Sequence, residues 1–95
     1  MTTPYVLIIH QVDDYPAWKA VFDAAADIRG AAGEMSFQVL RSDTNPNRVV
    51  HFSHWCGLDA ARRFFDSPEL AEIRRRAGVH APEFIYLDEV ARGDL

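Results

Sequence analysis

Residues 5–12, YVLIIHQV, form an apolar run that carries His10 near its end and stops at an acidic pair, Asp13 and Asp14. Its length and β-branched content predict a strand. Asp13 and Asp14 supply a helix N-cap, and Pro16 suits only a first helical turn. Trp18, Val21, Phe22, Ala25 and Ile28 then recur at helical spacing as one amphipathic stripe. Lys19 and Asp23 lie on the outer face, spaced to pair. Gly30 and Gly33 loosen and end this helix.

Residues 35–42, MSFQVLRS, set Met35, Phe37 and Val39 against Ser36 and Gln38, which predicts a strand with one apolar face. Residues 43–47, DTNPN, form a turn so short that the strand after it, RVVHFSHW over 48–55, must run antiparallel. Gly57 opens a second helical region striped by Leu58, Ala61 and Phe65, with Phe64 beside them. Ser67 and Pro68 restart the helix as N-cap and first residue, Leu70, Ile73 and Ala77 form its inner stripe, and Gly78 ends it. Residues 83–90, EFIYLDEV, are the last strand, and the polar tail ARGDL frays. The order β-α-β-β-α-β predicts an α+β, ferredoxin-like domain with its core in residues 5–90: a four-stranded antiparallel sheet with two helices on one face. At 95 residues there is room for one such domain.

The strands are apolar on both sides. Tyr5, Leu7 and Ile9 alternate with Val6 and Ile8; Val49 and Trp55 oppose Val50 and Phe52; Phe84 and Tyr86 oppose Ile85 and Leu87. Two helices cover only one sheet face, so the other calls for a partner's sheet, and a homodimer is the expectation.

Composition narrows the partners. The net charge of −4 argues against nucleic acid or an anionic membrane as a general partner. No apolar run approaches the ~18 residues of a membrane span, and MTTP carries no basic start of a signal peptide. The single cysteine, Cys56, cannot form an internal disulfide and suits a reducing cytoplasm. Without a glycine-rich nucleotide loop, a paired-cysteine motif or a serine-nucleophile elbow, no cofactor is expected from a dedicated motif.

The motifs His10-x-Val12-x-Asp14-Tyr15, Ala61-Arg62-x-Phe64-Phe65, Ser67-Pro68-Glu69-Leu70 and Ala77-Gly78-Val79, with Trp18, Phe22 and Trp55, occur in order. Across residues 5–90 the chain resembles the antibiotic biosynthesis monooxygenase-like family of dimeric α+β barrels. The resemblance implies a dimer whose sheets face each other and a small-molecule pocket between sheet and helices in each subunit. It implies little about chemistry, because the group spans cofactor-independent oxygenases, haem-degrading enzymes, isomerases and members without assigned activity. In the haem-degrading branch a polar residue near the end of the first strand faces the pocket, and His10 falls there. That branch also uses a tryptophan and, about ten residues later, a histidine; Phe65 and Arg75 stand at those places. Haem degradation is therefore not expected.

His10 is the candidate catalytic base, since an imidazole titrates near ~6.5 and can take a proton from a phenol or quinol. A hydrogen-bonded core histidine fits the pattern equally well. Trp18, Phe22, Phe65 and Trp55 are candidate ligand contacts, although an aromatic stripe at this spacing is more often core packing. Arg74, four residues after Leu70, is the arginine closest to the inner stripe and suits an anionic ligand. Tyr86 can donate to a ligand or bridge a dimer. His51 and His54 lie three apart on a strand, hence on opposite faces, and cannot share a metal. His80 is expected in a solvated loop, and Cys56 reads as structural. Three readings remain open: a cofactor-independent monooxygenase acting on a small aromatic, quinol or polyketide-like molecule, a non-catalytic or stress-related small-ligand binder, and a purely structural dimer with a packed interior. A pocket of roughly 300 Å³ or more beside His10 favours the first two over the third. The two-sided strands predict that sedimentation at micromolar concentration gives about twice the 10.8 kDa chain mass; a stable monomer contradicts them.

Overall fold

The computed structural model describes residues 3–95. The chain forms β1 (Pro4–Val12), α1 (Tyr15–Ala24), α2 (Ala26–Ala32), β2 (Glu34–Arg41), β3 (Arg48–Trp55), α3 (Leu58–Phe65), α4 (Pro68–Arg76) and β4 (Val79–Asp88). The strands lie in the order β2-β3-β1-β4, every pair antiparallel, so two interleaved β-α-β units make the ferredoxin-like sheet expected from the sequence.

The first predicted helix is two helices, and the second helical region divides at Ser67 as its cap and proline predict. Asp14 caps α1 through its side chain, which accepts from the Ala17 amide, and Pro16 stands in the first turn. The helix stops at Ala24, and Ala25 (φ −92°, ψ 5°) breaks the ladder before α2 begins. That break corrects the predicted stripe: Trp18 and Phe22 are buried, but Ile28 is exposed and Arg29 turns inward. Ser67 caps α4 by accepting from the Leu70 amide, as its place before Pro68 predicts.

Two strands also differ from expectation. β4 begins at Val79 because Val12 pairs with Val79 and Gln11 with His80, while the Asp13 amide bonds the Gly78 carbonyl. His80 therefore lies in a strand, exposed, with Nε2 2.6 Å from Asp13 Oδ1. In β2 a register shift between Glu34 and Ser36 leaves Met35 out of the pairing and 64% exposed, off the face shared by Phe37 and Val39.

All four helices cover one face. Val6, Ile8, His10 and Val12 of β1 and Val49, His51, Ser53 and Trp55 of β3 point into it by period two. The core has two clusters: Val6, Ile8 and Trp55 with Phe65 and Leu70, and Val12 and Val49 with Trp18 and Phe22. No described helix packs on the opposite face, where Tyr5, Leu7, Ile9, Val50, Phe52 and Ile85 are half-buried and Leu40 and Leu87 are exposed. Among the described residues no helix is long and apolar enough to cross a membrane.

Gly33 and Gly30 separate two roles of glycine. Gly33 has φ +125°, and a Cβ there would meet Cys56 Sγ at 2.6 Å; Gly30 sits in α2 with nothing within 4 Å. Gly33→Ala should lower stability in denaturant melts by about 1–3 kcal/mol, and Gly30→Ala should raise it by about 0.5–1 kcal/mol. Equal effects would contradict the strain at Gly33.

Candidate functional site

A cavity of about 60 Å³ lies between the sheet and the helices, with His10 and His51 in its wall. The two imidazoles come from adjacent strands, where His10 pairs with Val49 and His51 with Ile8. On the other side of β1, His10 faces an irregularity. Ile9 pairs with Glu83 and Gln11 with His80, so Ala81 and Pro82 together oppose this one residue. Pro82 has no amide hydrogen to give the ladder, and Ala81 takes φ 44°, so the bulge falls here.

His10 is 6% exposed, and its Nδ1 is fully buried without a hydrogen-bond partner. Its ring lies 5.5 Å from the Trp18 ring. Burial, then the nearby charges of His51 and Arg74, lower its pKa to about 4. The ring is therefore neutral at neutral pH. It accepts a hydrogen bond readily, but it holds a proton poorly.

His51 has a different environment. Its Nε2 lies 2.7 Å from Glu34 Oε2, and the Arg29 Nε–H donates to Glu34 Oε1 at 2.8 Å. All three side chains are at most 5% exposed. Burial alone would raise the Glu34 carboxyl, but hydrogen bonds from His51 and Arg29 outweigh it and hold the group below its usual value. Arg29 also donates to the Phe22 carbonyl near the end of α1 and lies 3.7 Å from the Phe22 ring centroid. This network was not read from the sequence. Its one signal was spacing, since Arg29 falls seven residues after Phe22 on the inner stripe.

The other candidates divide. Trp18, Phe22, Phe65 and Arg74 line the cavity with His10. Arg74 donates to the Phe65 carbonyl at 3.2 Å and lies 5.2 Å from the Phe84 ring centroid, and burial lowers its pKa. Trp55 and Tyr86 lie outside the cavity wall. Trp55 is wholly buried with its indole N–H donated to Ser53 Oγ, and Tyr86 packs beneath Arg62 on the helix-covered face. His51 faces inward and His54 outward, where it stacks on Tyr5. Among the described residues, no group of three or more histidine, cysteine or acidic side chains is placed to hold a metal. Cys56 is exposed.

The cavity volume is well below the roughly 300 Å³ of a common ligand pocket. It adjoins an open groove of about 470 Å³ between α1–α2 and α4, and Val21, Ala25 and Ile73 belong to both walls.

Residues 13–76 match the model of the antibiotic biosynthesis monooxygenase family, more than half of the chain. The chain belongs to that family. Its fold is shared with SnoaB, a cofactor-independent oxygenase from Streptomyces nogalater, at a TM-score of 0.77 and 19% identity over 100% of this chain and 98% of that one. An antibiotic biosynthesis monooxygenase homologue from Bordetella bronchiseptica superposes with TM-score 0.79 and 17% identity, covering 96% and 100% of the two chains. A Caulobacter crescentus homologue gives 0.73 and 21%, covering 95% and 92%. No curated protein matches the chain significantly.

The unpartnered His10 predicts a pH dependence. In the unfolded chain the ring returns to about 6.5, so between pH 6.5 and about 4 the unfolded state binds the extra proton. The His10 contribution is complete above pH 6.5 and declines as the pH falls toward 4. Denaturant melts should show about 2 kcal/mol lost between pH 7 and pH 5, and His10→Gln should remove most of that slope. Glu34, with its lowered pKa, acts in a lower window, below its unfolded value of 4.5. An unchanged slope in His10→Gln would place the titration elsewhere.

Proposed function

We propose that the protein binds a small aromatic molecule in the cavity between sheet and helices and acts on it as a cofactor-independent monooxygenase. The observation that carries this reading is His10, a cavity-lining residue among mostly apolar side chains, whose buried Nδ1 has no hydrogen-bond partner. An unpaired polar atom in such a place costs free energy unless a ligand or water completes it. A ring hydroxyl donating to His10 would do so, with Trp18, Phe22 and Phe65 against the ring and Arg74 beside the polar end. Family membership supports the reaction class.

Such a reaction needs no bound metal or flavin when the substrate is itself the reductant. An electron-rich ring carbon bearing two hydrogens takes one oxygen atom of dioxygen as a carbonyl, and the other leaves as water with those hydrogens. The cavity suits one ring at most, so a larger substrate would extend past Val21 and Ile73 toward the groove. In this reading the outer sheet face packs against that of a second copy, forming a homodimeric barrel. The same cavity and the same unpartnered Nδ1 would also serve a second reading, a non-catalytic binder of the same class of ligand.

Oxygen uptake with a panel of quinols and anthrones, alongside quenching of tryptophan fluorescence, separates the two. Uptake is expected for at least one compound; quenching without uptake would leave the binder reading, and neither would defeat both. His10→Ala should weaken binding at least ten-fold at a stability cost of only about 1 kcal/mol, because Nδ1 has no hydrogen bond to lose. Ile73→Trp should close the passage and slow uptake without changing the fold. A loss of stability well above 2 kcal/mol in His10→Ala would make His10 a packing residue.

A further inference from the structure

We infer that His51, backed by Glu34, is the proton acceptor of the cavity, and that the ligand is a phenol or enol bound as its anion. The inference rests on the ligand-binding reading above and deepens it.

The chemistry follows from which nitrogen is engaged. An ionised carboxylate only accepts, so Nε2 of His51, 2.7 Å from Glu34 Oε2, carries the hydrogen. Nδ1 of the neutral ring then holds the lone pair. A proton arriving at Nδ1 gives an imidazolium whose charge is met by Glu34, itself fixed from behind by Arg29. His10 has no carboxylate behind it and is repelled by His51 and Arg74. One imidazole can therefore hold a proton while the other accepts a hydrogen bond. This moves the base role expected of His10 to its neighbour.

The proposed step balances without an added reagent. The O–H bond of the ligand breaks as the Nδ1–H bond forms, and the electron pair stays on the ligand oxygen. The charged and titratable groups around the cavity are His10 from β1, His51 from β3, Arg29 from α2 and Arg74 from α4, with Glu34 of β2 behind His51. The described lining contains no carboxylate, and with Arg29 paired to Glu34 the guanidinium of Arg74 is the positive charge an anion formed there meets. The residues lining it from α1, α3 and β4 are apolar.

The probe is 4-nitrophenol, whose neutral and ionised forms differ in colour, at a pH where the free probe is mostly neutral. Binding is read from tryptophan quenching and ionisation from the absorption spectrum. The wild type should bind the probe largely as its anion. His51→Gln keeps a donor toward Glu34; it should still bind, with the ionised fraction at least ten-fold lower. The double change Arg29→Met with Glu34→Gln, which leaves no charge stranded in the interior, should do the same. His10→Gln should bind more weakly, yet what binds should remain ionised. A bound probe as ionised in His51→Gln as in the wild type would overturn the inference and leave the ligand-binding reading intact. No quenching by the wild type would overturn both.

Discussion

A guanidinium, a carboxylate and an imidazole lie side by side out of water in a chain of 95 residues, and the cavity end of the fold depends on how they are held. Glu34 is the first residue of β2, His51 lies on β3, and Arg29 comes from the helix just before β2. One carboxylate therefore ties α2 to the sheet. Arg29 also satisfies the Phe22 carbonyl and lies against the Phe22 ring, linking α1 to the same point. Removing Glu34 or Arg29 from such a network costs about 3–5 kcal/mol, because the other's charge is left buried and unpaired. Replacing the whole set by packed apolar residues is often neutral, so stability alone does not account for it. What the network adds is a fixed imidazole orientation with a negative charge behind it.

The two histidines show how burial acts on one residue type in two settings. They line the same cavity from neighbouring strands. Burial without a partner makes His10 a poor holder of protons, whereas His51, equally buried, has its Nε2 2.7 Å from the Glu34 carboxylate. The difference starts in the backbone. The bulge at Ala81 and Pro82 lies opposite His10, and β2, which brings Glu34, lies beside β3 rather than β1.

Much of this architecture was legible in the sequence. Alternation over Tyr5–Ile9 and Val49–Trp55, caps at Asp14 and Ser67, and the short turn at 43–47 led to the sheet and its antiparallel order. They work because each is local: period, cap and loop length need no knowledge of distant residues. The same period puts His10 on the face of Val6 and Ile8. The misses were long-range or depended on one break. Ile28 and Arg29 exchange roles because α1 stops at Ala24, and an alanine-rich stretch gives no sign of a stop there. Glu34 and His51 are seventeen residues apart, and their meeting depends on the register of β2 against β3, which the Met35 bulge shifts. Trp55 and Tyr86 read as ligand contacts because aromatic spacing reports the inner face, not where on that face a cavity opens.

The outer face bears on the site through period two. Tyr5, Leu7 and Ile9 alternate with Val6, Ile8 and His10 on β1, and Val50 and Phe52 flank His51 on β3. A one-residue slip in either strand would send its histidine out of the cavity and bring an apolar side chain in. Register between these strands is thus fixed by the helix-covered core on one side and by the stacked pair Tyr5–Phe52 on the other. In the proposed dimer a second copy would bury that outer layer and hold the same two strands from behind. Assembly and site geometry would then share one constraint. Loosening the outer face would act on His10 and His51 together, through the sheet that carries both.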